Sequence, residues 1–151
     1  MSAEVGPASK WRRILVQWAL IAAALNAVWE IAHLPLYTLW QEPDRWRVAA
    51  YVAHCTVGDV IIAVVSYLLV AAALRRLDWP WVTASGGTLL LVAIGVGYTV
   101  YSEWLNVYQR QAWGYAPNMP LIAGIGLSPL LQWLLLPPVA VAILRRQPRR
   151  P

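Results

Sequence analysis

Five ionisable side chains occur within long apolar stretches of this 151-residue chain: Glu30, His33, His54, Asp59 and Glu103. Glu30 and His33 are three residues apart in the segment NAVWEIAH, so on a helix they share one face. Helical bundles that bind iron or manganese use such a pair, and imidazoles with carboxylates also suit zinc. The residue types therefore predict a buried site that binds or conducts a divalent metal ion (zinc, iron or manganese) or protons.

The same side chains also suit catalysis. One carboxylic acid would donate a proton while a histidine or a second carboxylate accepts one, because burial separates their proton affinities. Under this alternative the chain is a membrane enzyme that acts on a lipid or isoprenoid substrate, with Glu30, Asp59 and Glu103 as its acid and base groups. A third alternative is an accessory or assembly subunit, whose polar residues only fix the register of its helices.

Different observations would separate these alternatives. A shared coordination sphere of the five side chains would favour metal binding, and an apolar tunnel from the lipid to Glu103 would favour the enzyme. These residues also have explanations that involve no function. Glu30 and His33 could form a partly hydrated pair within one helix, and Asp59 could be a hydrogen-bonded core residue. Asp59 is the hardest to explain structurally, because it is the deepest in its apolar run.

The composition indicates a membrane protein. Hydrophobic residues make up 60% of the chain and charged residues only 13%, and the mean hydropathy is +0.52. A soluble domain of this size could not bury so much apolar surface, and ten tryptophans are typical of a chain with membrane–water boundaries. The one cysteine, Cys55, excludes an internal disulfide. We therefore expect the lipid bilayer as a partner and no nucleic acid.

Apolar runs of about twenty residues, the length that crosses a bilayer, predict the fold. They indicate an all-α protein, in which one domain over residues 1–151 forms a bundle of four transmembrane helices. Basic residues before the first run resemble a signal peptide, but the run continues to Leu36, so we expect it to be uncleaved. The predicted spans are approximately residues 14–34, 48–74, 82–107 and 121–144.

Basic residues predict the orientation of the bundle. Three of them, Arg45, Arg47 and Arg110, fall on one side of the predicted membrane, and the other nine fall on the side of the two termini. The excess marks the cytoplasmic side. We therefore expect both termini in the cytoplasm, in a multi-pass protein of the inner membrane. Four helices leave a narrow path at best, which suggests a homo-oligomer if ions are conducted.

Helical spacing predicts that the polar residues meet in the outer half of the bilayer. A charged side chain that faces lipid costs about 2.5–3.5 kcal/mol, so polar stripes should face one another. On the second span, His54 lies to one side of the stripe that contains Asp59. Asn26, Asn106 and Gln132 would donate hydrogen bonds around the site. The stripes are Asn26, Glu30, His33 and Tyr37; Tyr51, Cys55 and Asp59; Thr99, Glu103, Asn106 and Arg110; and Gly124, Ser128 and Gln132.

Overall fold

The computed structural model describes residues 7–147, and the chain is mostly helical in this range. The α-helices are α1 Pro7–His33, α2 Arg45–Ala73, α3 Trp79–Val82, α4 Ala84–Glu103 and α5 Leu127–Arg146. Short 3₁₀ helices at Leu34–Leu36 and Thr38–Gln41 follow α1. The four long helices form a ring in which α1 packs against α2, α2 against α4, α4 against α5 and α5 against α1.

Each of the four long helices is long and apolar enough to cross a membrane. Large apolar side chains on their outer surfaces, such as Leu20, Val28, Ile61 and Leu89, are more than half exposed, as expected for residues that contact lipid. The prediction of an all-α protein with four such helices is confirmed, and these helices indicate a multi-pass membrane protein. The candidate spans are Lys10–Leu36, Arg45–Ala73, Ala84–Gln109 and Leu127–Arg146.

Local sequence explains where the first two helices end and begin. Pro35 follows α1 by two residues, and the residue before a proline disfavours the α-helical backbone. Asp44 caps α2, because its carboxylate accepts hydrogen bonds from the backbone N–H groups of Trp46 at 2.9 Å and Arg47 at 3.3 Å. The intervening loop lies at one end of the bundle, which we call the loop end. The other end, at which α1 begins and α5 ends, is the terminal end.

The fourth span begins later than its hydropathy predicts. Residues 121–126 form a short antiparallel hairpin of β1 Leu121–Ile122 and β2 Ile125–Gly126, and α5 starts only at Leu127. The turn places Ala123 at φ +50° and Gly124 at φ +84°, in the left-handed region that an α-helix does not use. Gly124 therefore cannot belong to a helical stripe with Ser128 and Gln132.

The third span continues past α4 as a π-helix, Trp104–Gln109. The backbone N–H of Arg110 donates to the carbonyl of Leu105 at 2.8 Å, five residues earlier. Wide turns of this kind occur frequently at functional sites. This one starts directly after Glu103, at the loop end.

Aromatic side chains fill the bundle toward the terminal end. Trp18, Tyr67 and Trp79 are almost completely buried, and the ring of Tyr67 lies 5.2 Å from Trp18 and 5.3 Å from Trp79. The indole N–H of Trp18 donates to the carbonyl of Ala63 at 2.9 Å and so links α1 to α2. We call this region the aromatic core. It fills the bundle between the polar residues and the terminal end.

We expect Gly95→Ala to destabilise the fold by about 1–3 kcal/mol, the usual cost of overpacking. The ring of Trp133 on α5 occupies the space that a Cβ at position 95 would need. Gly97→Ala is the matched control on the same helix, since its Cβ would meet no atom within 4 Å. Unfolding by denaturant in detergent micelles compares the two, and equal stabilities would contradict this packing.

Candidate functional site

A cavity of about 290 Å³ lies among α1, α2, α4 and α5 in the loop-end half of the bundle. Its lining includes the five residues singled out from the sequence: Glu30, His33, His54, Asp59 and Glu103. The polar stripes of the first three spans therefore face one another. The next cavity toward the terminal end holds only about 20 Å³ and is lined mainly by apolar side chains. The cavity among the four long helices is thus blind at its deep end, where the aromatic core begins.

One face of α1 supplies the first wall of the site. Asn26, Glu30 and His33 are each at most 9% exposed, as is Tyr37 just beyond the helix. The residues that the sequence predicts on one face of the first span are therefore buried inside the bundle. Asn26 donates from Nδ2 to the carbonyl of Ala22 at 2.8 Å, which turns its Oδ1 toward α5. Helical periodicity alone is sufficient to place these side chains together.

Gln132 on α5 joins three helices at the bottom of the cavity. Its Nε2 donates to Oδ1 of Asn26 at 2.8 Å and to Oδ2 of Asp59 at 2.9 Å. The same nitrogen lies 3.4 Å from Oε1 of Glu30. An amide nitrogen has two hydrogens, so the two shorter contacts use both of them. Gln132 is 3% exposed, so its side chain is almost completely shielded from solvent.

His33 connects Glu30 to α5. Its Nε2 lies 3.3 Å from Oε1 of Glu30, and its Nδ1 lies 3.0 Å from Oγ of Ser128. The neutral ring donates through one nitrogen and accepts at the other, whereas the protonated ring donates through both. His33 lines the cavity, and both of its ring nitrogens have protein partners, which hold the ring between Glu30 and Ser128. Ser128 is buried beside it.

Glu103 forms a second acidic position, which two tyrosines from the loops hold. The hydroxyl of Tyr115 donates to Oε2 of Glu103 at 2.6 Å, and the hydroxyl of Tyr37 lies 3.5 Å from the same oxygen. Glu103 is 6% exposed. Its other oxygen, Oε1, accepts no hydrogen bond from residues 7–147. The indole of Trp113 interacts with this carboxyl group, but its buried N–H makes no hydrogen bond of normal geometry.

Backbone pairing between two loops brings the tyrosines to Glu103. Tyr37 and Tyr115 form an antiparallel bridge, and on either side Thr38 N–H donates to Gly114 O and Ala116 N–H donates to Leu36 O, each at 2.9 Å. The hydroxyl of Tyr115 also accepts from the N–H of Gly126 at 3.0 Å. We call the paired segments 36–38 and 114–116 the loop cap.

His54 and Arg110 line the cavity at its edge. Both are exposed, and His54 makes no hydrogen bond to the other four candidates within residues 7–147. Asn106 donates to its own helix, at the carbonyl and hydroxyl of Ser102, rather than to a carboxylate of the site. The cavity therefore has two buried acidic positions, around Gln132 and around Glu103, and a more open edge.

The sequence predicts that these side chains share the coordination sphere of a metal ion. Among residues 7–147, no three histidine, cysteine, aspartate or glutamate side chains are arranged so that they could hold one metal ion. Glu30, His33, Asp59 and Glu103 share a cavity, but Glu30 already contacts His33 and Gln132, and Glu103 contacts Tyr115.

Comparisons with protein-family models, curated proteins and solved structures found no match to this chain. The chemistry of the site therefore has to follow from its own residues. Three of these, Tyr115, Trp113 and Ser128, are not among the five candidates named from the sequence. Tyr115 and Trp113 belong to the segment WGYAPNMP, which has no helical periodicity that would show where its side chains point.

We expect Tyr115→Phe to reduce the stability by about 1.5–3 kcal/mol at neutral pH, the usual contribution of a hydrogen bond to a charged group. Tyr37→Phe should cost less, because its contact is 3.5 Å rather than 2.6 Å. Tyr101→Phe, at an exposed position, is the control. Denaturant unfolding of the three variants tests this order, and a larger loss for Tyr37→Phe would contradict it.

The same tyrosines predict a loss of stability in alkali. Burial, and next the negative charge or hydrogen bond of Glu103, raises the pKa of Tyr37 and Tyr115 above the ordinary value. A phenol with a raised pKa in the folded state stabilises the fold below its unfolded pKa of about 10 and loses this contribution at higher pH. We therefore expect Tyr115→Phe to flatten the decline in unfolding free energy above that pH. An equally steep decline in the variant would contradict this.

Proposed function

We propose that this chain is a membrane-embedded enzyme that transfers protons to and from a substrate bound in the cavity. The observation that carries this proposal is the pair of acidic positions in one cavity, each held by different partners. Active sites that use carboxyl groups as acid and base place them in different environments, so that one keeps a proton while the other is ionised.

Glu103 has the features of a group that exchanges a proton with a substrate. One of its oxygens, Oε2, is fixed by Tyr115, and its other oxygen accepts no hydrogen bond of normal geometry within residues 7–147. A carboxyl group held at one oxygen keeps its orientation while the other oxygen can reach a ligand. We therefore assign proton exchange with the substrate to Glu103, with Tyr115 as the residue that positions it.

Glu30 and Asp59 have the features of a pair that shares a proton. Both carboxyl groups contact the amide of Gln132, and they also interact with each other. Two charged carboxylates this close repel one another, and a single shared proton removes that repulsion. His33 can compensate the remaining charge through its contact with Glu30. In the proposed reaction this pair accepts a proton from the substrate when Glu103 donates one, and it returns that proton in the reverse reaction.

The blind shape of the cavity supports a reaction rather than conduction. A path for ions needs polar or hydrated surroundings across the whole membrane. Toward the terminal end, the cavity is followed by Trp18, Leu91 and Trp133, which are at most 5% exposed. A substrate can bind and leave on one side of this barrier without any path through it.

Solvent deuterium tests the proposal on many candidate substrates at once. Membranes that contain the full chain are incubated in D₂O with isoprenoid alcohols and alkenes, and mass spectrometry records deuterium bound to carbon. We expect incorporation that exceeds that of membranes without the protein. The outcome against proton transfer is that folded protein incorporates no deuterium into any lipid of the membrane or of the added panel.

Cation binding is the second candidate function. The observation that favours it is that the carboxyl groups of Glu30 and Asp59 both approach the amide of Gln132, since neighbouring carboxylates that lack a shared proton need a positive charge between them. Titration of purified protein with Zn²⁺ or Mn²⁺, followed by calorimetry, tests it. Stoichiometric binding that is lost in both Glu30→Gln and Asp59→Asn would favour a metal site over the enzyme.

A further inference from the structure

We propose that the substrate is a lipid-soluble molecule with a hydrocarbon body and one hydroxyl or carbonyl group, and that it reaches the cavity sideways from the membrane, between α2 and α4. This inference rests on the acid–base function proposed above, since it states which molecules the cavity would act on. It follows from the position of the cavity's opening, from its lining and from one unpaired hydrogen-bond donor.

The cavity opens between α2 and α4, where the contact between neighbouring helices of the ring is smallest. Of the four neighbouring pairs of long helices, α2 and α4 pack against each other least extensively. On α2, His54 and Gly58 are one turn apart and line the cavity, and on α4 Tyr98 and Ser102 do the same. Because residues one turn apart share a helix edge, each pair marks one side of the gap.

Space at this edge is open rather than packed. A Cβ at Gly58 would meet no atom within 4 Å, and His54 and Tyr98 are exposed, Tyr98 by 46%. Ala63 and Tyr67, which lie on the opposite edge of α2, are buried at the contact with α1. In a bilayer the open edge faces hydrocarbon, so a lipid-soluble molecule can reach the cavity without crossing water.

The lining of the cavity fits such a molecule. The carboxyl groups lie at two positions, around Gln132 and around Glu103, and apolar side chains form another part of the wall. A hydrocarbon body gains the hydrophobic contribution by contact with the apolar wall, while a polar end needs a hydrogen-bond partner. The apolar side chains include Leu34, Leu39, Val52, Ile62 and Trp133.

The unpaired N–H of Trp113 supplies a specific partner for the polar end. This group is buried, lines the cavity beside Glu103 and makes no hydrogen bond within residues 7–147. A buried donor without a partner costs about 1–3 kcal/mol, and a hydroxyl or carbonyl oxygen of a ligand would remove that cost. The oxygen of the substrate would then lie next to the carboxyl group that exchanges the proton.

The loop cap restricts the alternative route from water. Its two segments are joined through Thr38 with Gly114 and through Leu36 with Ala116, and it lies over the loop-end side of Glu103. A molecule with a long hydrocarbon body would have to separate these backbone bonds to come in from that side. The gap between α2 and α4 needs no backbone bond to break.

A photoreactive isoprenoid alcohol with a diazirine in its chain tests the route. The full-length protein is reconstituted in phosphatidylcholine vesicles with a trace of this probe, illuminated and mapped by mass spectrometry. We expect adducts on the cavity carboxylates Asp59 and Glu103. Gly58→Leu should reduce the yield of these adducts by about tenfold, because a leucine side chain in the gap between α2 and α4 would clash with the entering probe.

Gly86→Leu is the matched control. It replaces another helical glycine whose Cβ would meet no atom within 4 Å, on α4 but away from the cavity. This variant should label like wild type. A diazirine-bearing alkane without the hydroxyl group should label the outer surface but not the carboxylates. Undiminished cavity labelling in Gly58→Leu, or equal labelling of the carboxylates by the alkane, would overturn the proposal.

The result is separable from the test of the acid–base function. Deuterium exchange that persists in Gly58→Leu while labelling is unchanged would refute the lateral route and leave proton transfer standing. Labelling that follows the expected pattern, without deuterium exchange in wild type, would support the ligand class and refute the chemistry. Loss of both in Gly58→Leu, with both retained in Gly86→Leu, supports the two together.

Discussion

Gln132→Leu is expected to lower the free energy of unfolding by about 3–5 kcal/mol, the cost of leaving a buried charged group without its partner. The leucine side chain is similar in size, so the loss comes from hydrogen bonds rather than from a cavity. Asp59 and Asn26 lose the amide donor that both share, and Glu30 loses its 3.4 Å contact with the same amide. Denaturant unfolding in mixed micelles, followed by circular dichroism, measures the change.

A second substitution shows whether this loss arises at Asp59. Asp59→Asn combined with Gln132→Leu removes one buried carboxylate, so the double variant should be more stable than the sum of the single effects predicts. Gln109→Leu, on the exposed π-helix, should change stability by no more than about 0.5 kcal/mol. If Gln132→Leu were as stable as Gln109→Leu, Gln132 would not join the three helices.

Helical periodicity accounts for the part of the site that the sequence predicts well. Asn26, Glu30 and His33 are buried on one face of α1 because an uninterrupted helix fixes their angular positions. The same reasoning puts Asp59 toward the cavity and His54 to one side of it, which is where the two side chains lie. A regular element thus allows side-chain positions to be inferred from spacing alone.

The missing parts of the prediction all lie where periodicity stops. Tyr115 reaches Glu103 because two loops pair through backbone bonds that no apolar pattern encodes. The hairpin before α5 is apolar enough to resemble helix, yet the left-handed backbone at Ala123 and Gly124 prevents one. The arginine bias continues to predict cytoplasmic termini, since membrane insertion depends on charges near the spans rather than on helix packing.

Under the proposed function, Glu103→Gln should reduce solvent deuterium incorporation by about 10²–10⁴-fold, the usual contribution of a positioned acid or base. The amide keeps the size of the carboxyl group, and its oxygen can still accept the hydrogen bond that Tyr115 donates. The fold should therefore change little, whereas the group loses its exchangeable acidic proton. The rate of deuterium incorporation and the free energy of unfolding, measured on the same preparation, separate these effects.

Two further variants decide whether Glu103 reacts or only supports its neighbours. Glu103→Asp keeps the acid but withdraws it from the substrate, so it should retain more activity than the glutamine variant while losing the contact to Tyr115. Tyr115→Phe leaves the acid in place and should lower the rate less than Glu103→Gln does. If Glu103→Gln and wild type incorporated deuterium at equal rates, Glu103 would not exchange the proton, and the Glu30–Asp59 pair would be the reacting group. Glu103 would then be a group that closes the loop end, because its bonds to the loop cap would be its remaining contribution.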